Sequence, residues 1–267
     1  MIKSLKKLVR SKSKTSGPSV PEGTRYYVIG DIHGCNDLFE SLIMAIEEEA
    51  KAAPDLEVKV VLLGDLVDRG PDSRMVIANA RDWQARRDVQ ILAGNHEEMF
   101  LQSFDNTKVL RHFIRHGGRD TILSYGVPES TYNNASLEEL QELIREYVPK
   151  KDRKFLASFD EMLTAGDYVF VHAGIKPGVE LAEQSREDLL WIREKFLDHE
   201  GAHPLHVVHG HTIFEDIDVK RNRIGIDTGA FRFGRLTALV LEGANQRLIQ
   251  TVDDDGTIIV EKKDSVK

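Results

Sequence analysis

The sequence predicts an α/β fold in which a parallel-type first half and a β-rich second half share one core, with a helical insertion between them. Three patterns predict it. Up to about residue 96, short apolar runs ending in glycine alternate with segments of helical period. Residues 97–159 read as mostly helical, and after residue 160 short β-branched runs are separated by glycine or asparagine breaks.

In chain order, residues 1–24 stand apart. Lys3, Lys6, Lys7, Arg10, Lys12 and Lys14 alternate with serines, then Gly17, Pro18, Pro21 and Gly23 interrupt any helix. This composition reads as a basic, solvated, flexible tail. A basic amphipathic helix built on Ile2, Leu5, Leu8 and Val9 and touching acidic lipid is the sharper alternative, but the segment is short and weakly apolar. From residue 25 to 267 the chain reads as one domain. Residues 26–29 form a short apolar strand closed by Gly30-Asp31, followed by a helix marked by Leu38, Leu42, Ile43 and Ile46. Residues 58–63 are a continuous apolar run, the pattern of a strand buried on both faces, and they too end in Gly-Asp. A helix over 73–86 and a strand over 89–92 lead to Gly94-Asn95. The helical insertion spans about 105–160, and within it Ser136 and Glu139 form a capping box ahead of an apolar-periodic segment that Pro149 ends. Strands are predicted at 168–171, 205–208, 218–226, 236–241 and 247–252, with Arg221-Asn222-Arg223 as a hairpin turn.

Composition narrows the function. Apolar residues make up 41% and charged residues 30%, as in ordinary soluble enzymes. No apolar run approaches the roughly 18 residues of a membrane-spanning helix, so no stable membrane insertion is expected. The formal net charge of −8 argues against nucleic acid as a partner. A single cysteine, Cys35, cannot form an intrachain disulfide, which fits a cytoplasmic location.

The chemistry is concentrated where apolar strands end. Gly30-Asp31-Ile32-His33-Gly34, Gly64-Asp65-Leu66-Val67-Asp68-Arg69-Gly70, Gly94-Asn95-His96-Glu97, Val171-His172-Ala173-Gly174 and Val208-His209-Gly210-His211 each follow such a run. Ligands of open α/β sheets gather beyond the carboxyl ends of the strands, and glycine turns let the backbone approach them. Asp31, His33, Asp65, Asn95, His172 and His209 form a mixed oxygen and imidazole set that suits manganese, iron or zinc. A lone Asp or His after a strand is usually a turn former. Five such placements are not explained that way. Cys35 reads as a packing residue, and His112 and His116 as solvent-facing. His199, His203 and His206 are given no role, and His211 belongs either beside His209 or at the pocket rim.

These blocks resemble the signature motifs of the phosphoprotein phosphatase family of metallophosphoesterases, in order and spacing, over about residues 25–245. The resemblance implies a calcineurin-like metallophosphoesterase fold, a central β-sandwich flanked by helices, of the bacterial or phage type. It implies two divalent metal ions, manganese first, with Asp31, His33 and Asp65 on one and Asp65, Asn95, His172 and His209 on the other. A metal-bridging hydroxide would attack phosphorus directly. His96 would act as general acid oriented by Asp68, while Arg69 and Arg193 would hold phosphate. The expected substrate is phosphoserine or phosphothreonine in a protein. A nucleotide hydrolase of the diadenosine tetraphosphatase kind is the alternative, and a catalytically inactive phosphoprotein-binding module a third. Asp68 favours an alkoxide leaving group that needs a proton, and the complete ligand set argues against inactivity.

Overall fold

The computed structural model describes residues 17–266. Three βα units open it: β1 (Thr24–Ile29), α1 (Asn36–Ala52), β2 (Glu57–Leu62), α2 (Ser73–Gln84), β3 (Val89–Ile91) and α3 (Asn95–Ser103). The insertion follows as α4 (Thr107–Phe113), α5 (Arg119–Ser124), α6 (Glu129–Asn134), α7 (Leu137–Tyr147) and α8 (Lys150–Leu156). The second half holds β4 (Met162–Ala165), β5 (Tyr168–Val171), α9 (Arg186–Trp191), α10 (Glu194–Leu197), β6 (His206–His209), β7 (Asp218–Val219), β8 (Arg223–Gly225), α11 (Ala230–Phe233), β9 (Arg235–Glu242), β10 (Asn245–Asp254) and β11 (Thr257–Lys263).

Two sheets stack. A six-stranded sheet runs β11-β10-β9-β1-β2-β3 and a five-stranded sheet runs β4-β5-β6-β8-β7. β1, β2 and β3 are parallel, as the βα repeats require, while β9 joins β1 antiparallel. Strand alternation assigns the faces. Tyr26 and Val28 of β1 point into the inter-sheet core with Phe170, Val208 and Ile224, whereas Tyr27 and Ile29 pack under α1 and α2. On the second sheet Val169, Val171 and Val207 turn outward to pack on Leu189, Ile192 and Phe196. The result is the expected sandwich with helices on both outer faces.

Some elements depart from the sequence reading. Residues 17–24, expected as part of a solvated tail, are held in place. Val20 is buried and its amide donates to the Gly243 carbonyl at 3.0 Å, and Ser19 donates to Asp167 through both its amide and its hydroxyl at 2.9 Å. The remaining expectations for that segment, residues 1–16, lie outside the described residues. β4 and β11 were not anticipated. β11 is an edge strand whose Ile259 and Val260 stay exposed, so burial leaves no clear alternation to read. The helices α4 to α8 follow one another between β3 and β4, and Ser136 caps α7 reciprocally with Glu139. Its core is aromatic, with Phe113 stacked on Phe100 of α3 at 5.1 Å. No helix among the described residues is long and apolar enough to cross a membrane.

Candidate metal centre and active site

The loops after β1, β2, β3, β5 and β6 converge at one edge of the sandwich. Their backbone is strained there. His33, Asp65, Asp68, Arg69 and His211 all have positive φ, and Asp255 is the one further non-glycine residue with it among the described residues. Such conformations cost on the order of 1–3 kcal/mol each and persist only where surrounding contacts enforce them. Glu97 supplies much of that enforcement. Its Oε2 accepts the amides of Gly94 (3.0 Å) and Asp65 (2.8 Å), and its Oε1 accepts those of Leu66 (2.7 Å) and Val67 (3.3 Å). Gly94 is required where the third loop meets the second, because a Cβ there would lie 2.1 Å from Asp65 Oδ1.

Asp65 is the hub. Its Oδ2 lies 3.5 Å from His33 Nε2, and its Oδ1 lies 3.5 Å from His172 Nε2. Ligand atoms of His33, Asp65 and His96 fall within 4.8 Å of one another, and so do those of Asp65, His172 and His211. The imidazoles are set as acceptors. His33 and His172 each spend Nδ1–H on a backbone carbonyl, that of Val67 and that of Leu63, both at 2.8 Å. This leaves each Nε2 lone pair facing the site. Asn95 Oδ1 lies 3.0 Å from His172 Nε2. Asp31 accepts the His211 amide with both oxygens, at 3.0 and 3.1 Å.

The geometry separates the two histidines at the end of β6. His209 shares the outward face of β6 with Val207; its Nε2 lies 3.3 Å from the Arg223 guanidinium and its ring 5.0 Å from Phe196. His211 takes the place expected of His209, with Nδ1 3.2 Å from His172 Nε2 and a buried Nε2 that has no hydrogen-bond partner. Once the packing fixes which face of β6 meets the other sheet, the strand period accounts for this. Val208 points into the inter-sheet core, so residue 209 points out, and the Gly210 turn then brings residue 211 back.

Beside this cluster stands a dyad. His96 Nδ1–H donates to Asp68 Oδ2 at 2.6 Å, leaving His96 Nε2 toward the site. Asp68 is fully buried and is fixed from the insertion, for Thr121 Oγ1 donates to its Oδ1 at 2.6 Å. Gly117 of the insertion also accepts the Arg69 amide at 3.1 Å. The insertion therefore buttresses the loop that carries Asp68 and Arg69. Arg69 Nη1 lies 2.6 Å from His33 Nε2 and Nη2 lies 2.8 Å from His96 Nε2. Arg193 is exposed at the rim, its Nη1 3.4 Å from Thr212 Oγ1. Phe231, also at the rim, lies 4.8 Å under the Arg69 guanidinium and edge-on to His33 at 5.2 Å.

Electrostatics follow from burial and from crowded carboxylates. Burial pushes His33 well below the ordinary histidine range, lowers His172, and takes His211 down to about 2, so all three stay neutral donors. Burial also opposes a charged His96, but Asp65 and Asp68 outweigh it and raise its pKa. Burial and then the Asp227 and Asp65 charges push Asp31 well up. Burial and Asp65 push Glu97 up to about 7 against the pull of its amides. Buried carboxylates and neutral imidazole lone pairs turned on one point fit a pair of divalent cations. Asp31, His33 and Asp65 can hold one, and Asp65, Asn95, His172 and His211 the other.

Cys35, His112 and His116 stand apart from this cluster. Cys35 is pushed up to about 12 by burial, and the exposed His112 and His116 lie against each other, rings 4.0 Å apart and tilted. Glu97, Thr121, Asp227 and Phe231 had been given no role from the sequence.

The family model for calcineurin-like phosphoesterases matches residues 24–230, and the chain belongs to that family, whose members are metal-dependent phosphoesterases. It is similar to curated proteins named asymmetrical bis(5'-nucleosyl)-tetraphosphatase PrpE. The one from Anoxybacillus flavithermus is 27% identical over 80% of this chain and 89% of its own length, and one from Bacillus cereus is 28% identical with the same coverage. Among solved structures, a candidate diadenosine tetraphosphatase aligns at TM-score 0.56 and 20% identity, covering 92% of this chain and 98% of that one. A cold-active protein-tyrosine phosphatase from a Shewanella species aligns at TM-score 0.51 and 19% identity, covering 92% and 83%. These structural likenesses establish the shared fold.

Proposed function

We propose that this chain is a two-metal hydrolase of bis(5'-nucleosyl) tetraphosphates that cleaves them asymmetrically, to a nucleoside triphosphate and a nucleoside monophosphate. The observation that carries the chemistry is the pair of ligand clusters joined at Asp65, with His96 Nε2 alongside. Manganese is the metal the mixed oxygen and imidazole donors suit best. Bound there, the two cations would ionise a water near neutral pH and neutralise the phosphoryl oxygens in line with the leaving group. The protein's own contributions are separate. Arg69 and Arg193 grip the phosphate, His96 gives its Nε2 proton to the departing oxygen, and Asp68 holds the imidazole in that orientation. The nucleotide substrate is supported by the names and near full-length coverage of the relatives, and by Phe231, an exposed aromatic at the mouth on which a base can stack.

A phosphoprotein substrate is the second reading. The groove beside Phe231 and Arg69 is lined by Asp37, Asp72 and Asp253, which suits a neutral or cationic leaving group better than a polyphosphate. The test strips the protein of metal, restores Mn²⁺, and compares kcat/KM for diadenosine tetraphosphate and a phosphothreonine peptide. At least tenfold preference for the dinucleotide, with ATP and AMP as products, is expected. The reverse preference would move the assignment to phosphoproteins, and inactivity on both with Mn²⁺ bound would reject both substrates.

A further inference from the structure

The two sets of metal donors are unequal. The side of Asp65 that faces His172 is met by His172, Asn95 and His211, whereas the side that faces His33 is met by His33 and His96, and with His96 assigned to proton transfer the donors remaining there are His33 and Asp31. A fourth candidate stands at that poorer side. β8 ends at the same edge of the sandwich as β6, and two residues beyond its end comes Asp227. This carboxylate is 1% exposed. Its Oδ1 accepts the Gly229 amide at 3.0 Å, which fixes the side chain, and its Oδ2 is buried with no donor to satisfy it. Asp31 is its neighbour, and the charges of Asp65 and Arg69 also reach it. A buried carboxylate oxygen without a donor, on a side chain beside a second buried carboxylate, is costly unless a cation lies nearby. No helix or loop of the fold needs that oxygen, since the turn at residues 227–229 is already closed through Oδ1.

We propose that Asp227 belongs to the metal centre and supplies an oxygen donor, directly or through a water, to the cation held by Asp31, His33 and Asp65. This rests on the two-metal reading above. It gives each ion four protein donors, and it places the new one on oxygen, so the first site is richer in carboxylate and the second in imidazole. The first site then discriminates for manganese over zinc more strongly than the second.

Asp227→Asn is a clean variant, because its Oδ1 keeps the Gly229 bond and its amide can donate to Asp31. The metal-free variant should therefore melt no lower than the parent. The experiment is calorimetric titration of metal-free protein with Mn²⁺, with no substrate present. The parent should bind two ions. In Asp227→Asn one of the two should weaken by about 10–100-fold, while the other keeps its affinity. Paired with His33→Ala the loss should be non-additive, and paired with His211→Ala it should weaken both ions, which identifies the ion concerned. Two unchanged affinities in Asp227→Asn, or weakening of the ion that His211→Ala also weakens, would overturn the inference. Failure of the parent to bind two ions would instead overturn the two-metal reading. If the asparagine variant does not fold, Asp227→Ser gives the same readout with a short acceptor for the Gly229 amide.

Discussion

Glu97→Gln is the substitution for which the structure gives the clearest magnitude. The glutamate accepts four backbone amides, two on each oxygen, and all belong to the loops that carry Asp65 and Asn95. Replacing one oxygen by an amino group turns two of those bonds into donor-against-donor contacts, whichever way the amide is turned. Each buried amide left without an acceptor costs about 1–3 kcal/mol, so the loss is about 2–6 kcal/mol. For a chain of this size that corresponds to roughly 4–24 °C in Tm. The loss also releases the positive φ of Asp65, which those bonds hold in place. Melting should be followed at pH 8, above the Glu97 midpoint of about 7, with and without Mn²⁺. The expected outcome is a lower Tm in both conditions, a smaller stabilisation by Mn²⁺, and turnover reduced at least tenfold. A variant within 1 °C of the parent with turnover within twofold would refute the argument that Glu97 holds the site together.

Three further outcomes are expected. His211→Ala should weaken one Mn²⁺ by about 10²-fold or more, while His209→Ala, whose ring faces Arg223, should keep both ions; metal content after dialysis reads this directly, and the opposite ranking would restore His209. Asp68→Asn should slow a phosphothreonine peptide by roughly 10²-fold and an aryl phosphate with a good leaving group far less, and equal losses would remove His96 and Asp68 from proton transfer. Glu49 is the pH-dependent case. Burial opposes its charge, but Arg247 and Lys262 outweigh this and hold it down at about 2, so its stabilisation is full above its ordinary value of 4.5 and is lost as pH falls from there toward 2. Discounted for its partial exposure to solvent, Glu49→Gln should cost about 1–2 kcal/mol at pH 7 and progressively less below pH 4.5 in urea melts, and a gap that does not change with pH would contradict this.

Much of the site was legible because its parts are local in sequence. A parallel sheet places every loop that follows a strand at one edge, so Gly30-Asp31, Gly64-Asp65 and Gly94-Asn95 could be assigned to one place without knowledge of the packing. Glu97 lay inside one of these blocks but showed no role, because its amide partners at residues 65–67 become visible only when the two loops meet. Phe231 looked like any exposed aromatic until Arg69 and His33 were placed against it. β11 escaped notice because an exposed edge strand buries too little on either face to impose an alternation.

The sequence by itself determined the α/β order and which loops carry candidate donors, since short-range periodicity and glycine turns encode which residues stand at strand ends. It did not determine which histidine after β6 faces inward, because that depends on which face of the strand meets the other sheet. Nor could it show that Thr121 and Gly117, far along the chain, hold Asp68 and Arg69, or that Asp227 lies against Asp31. Those choices were made by the packing of two sheets and an insertion, where side chains distant in sequence compete for the same small buried volume.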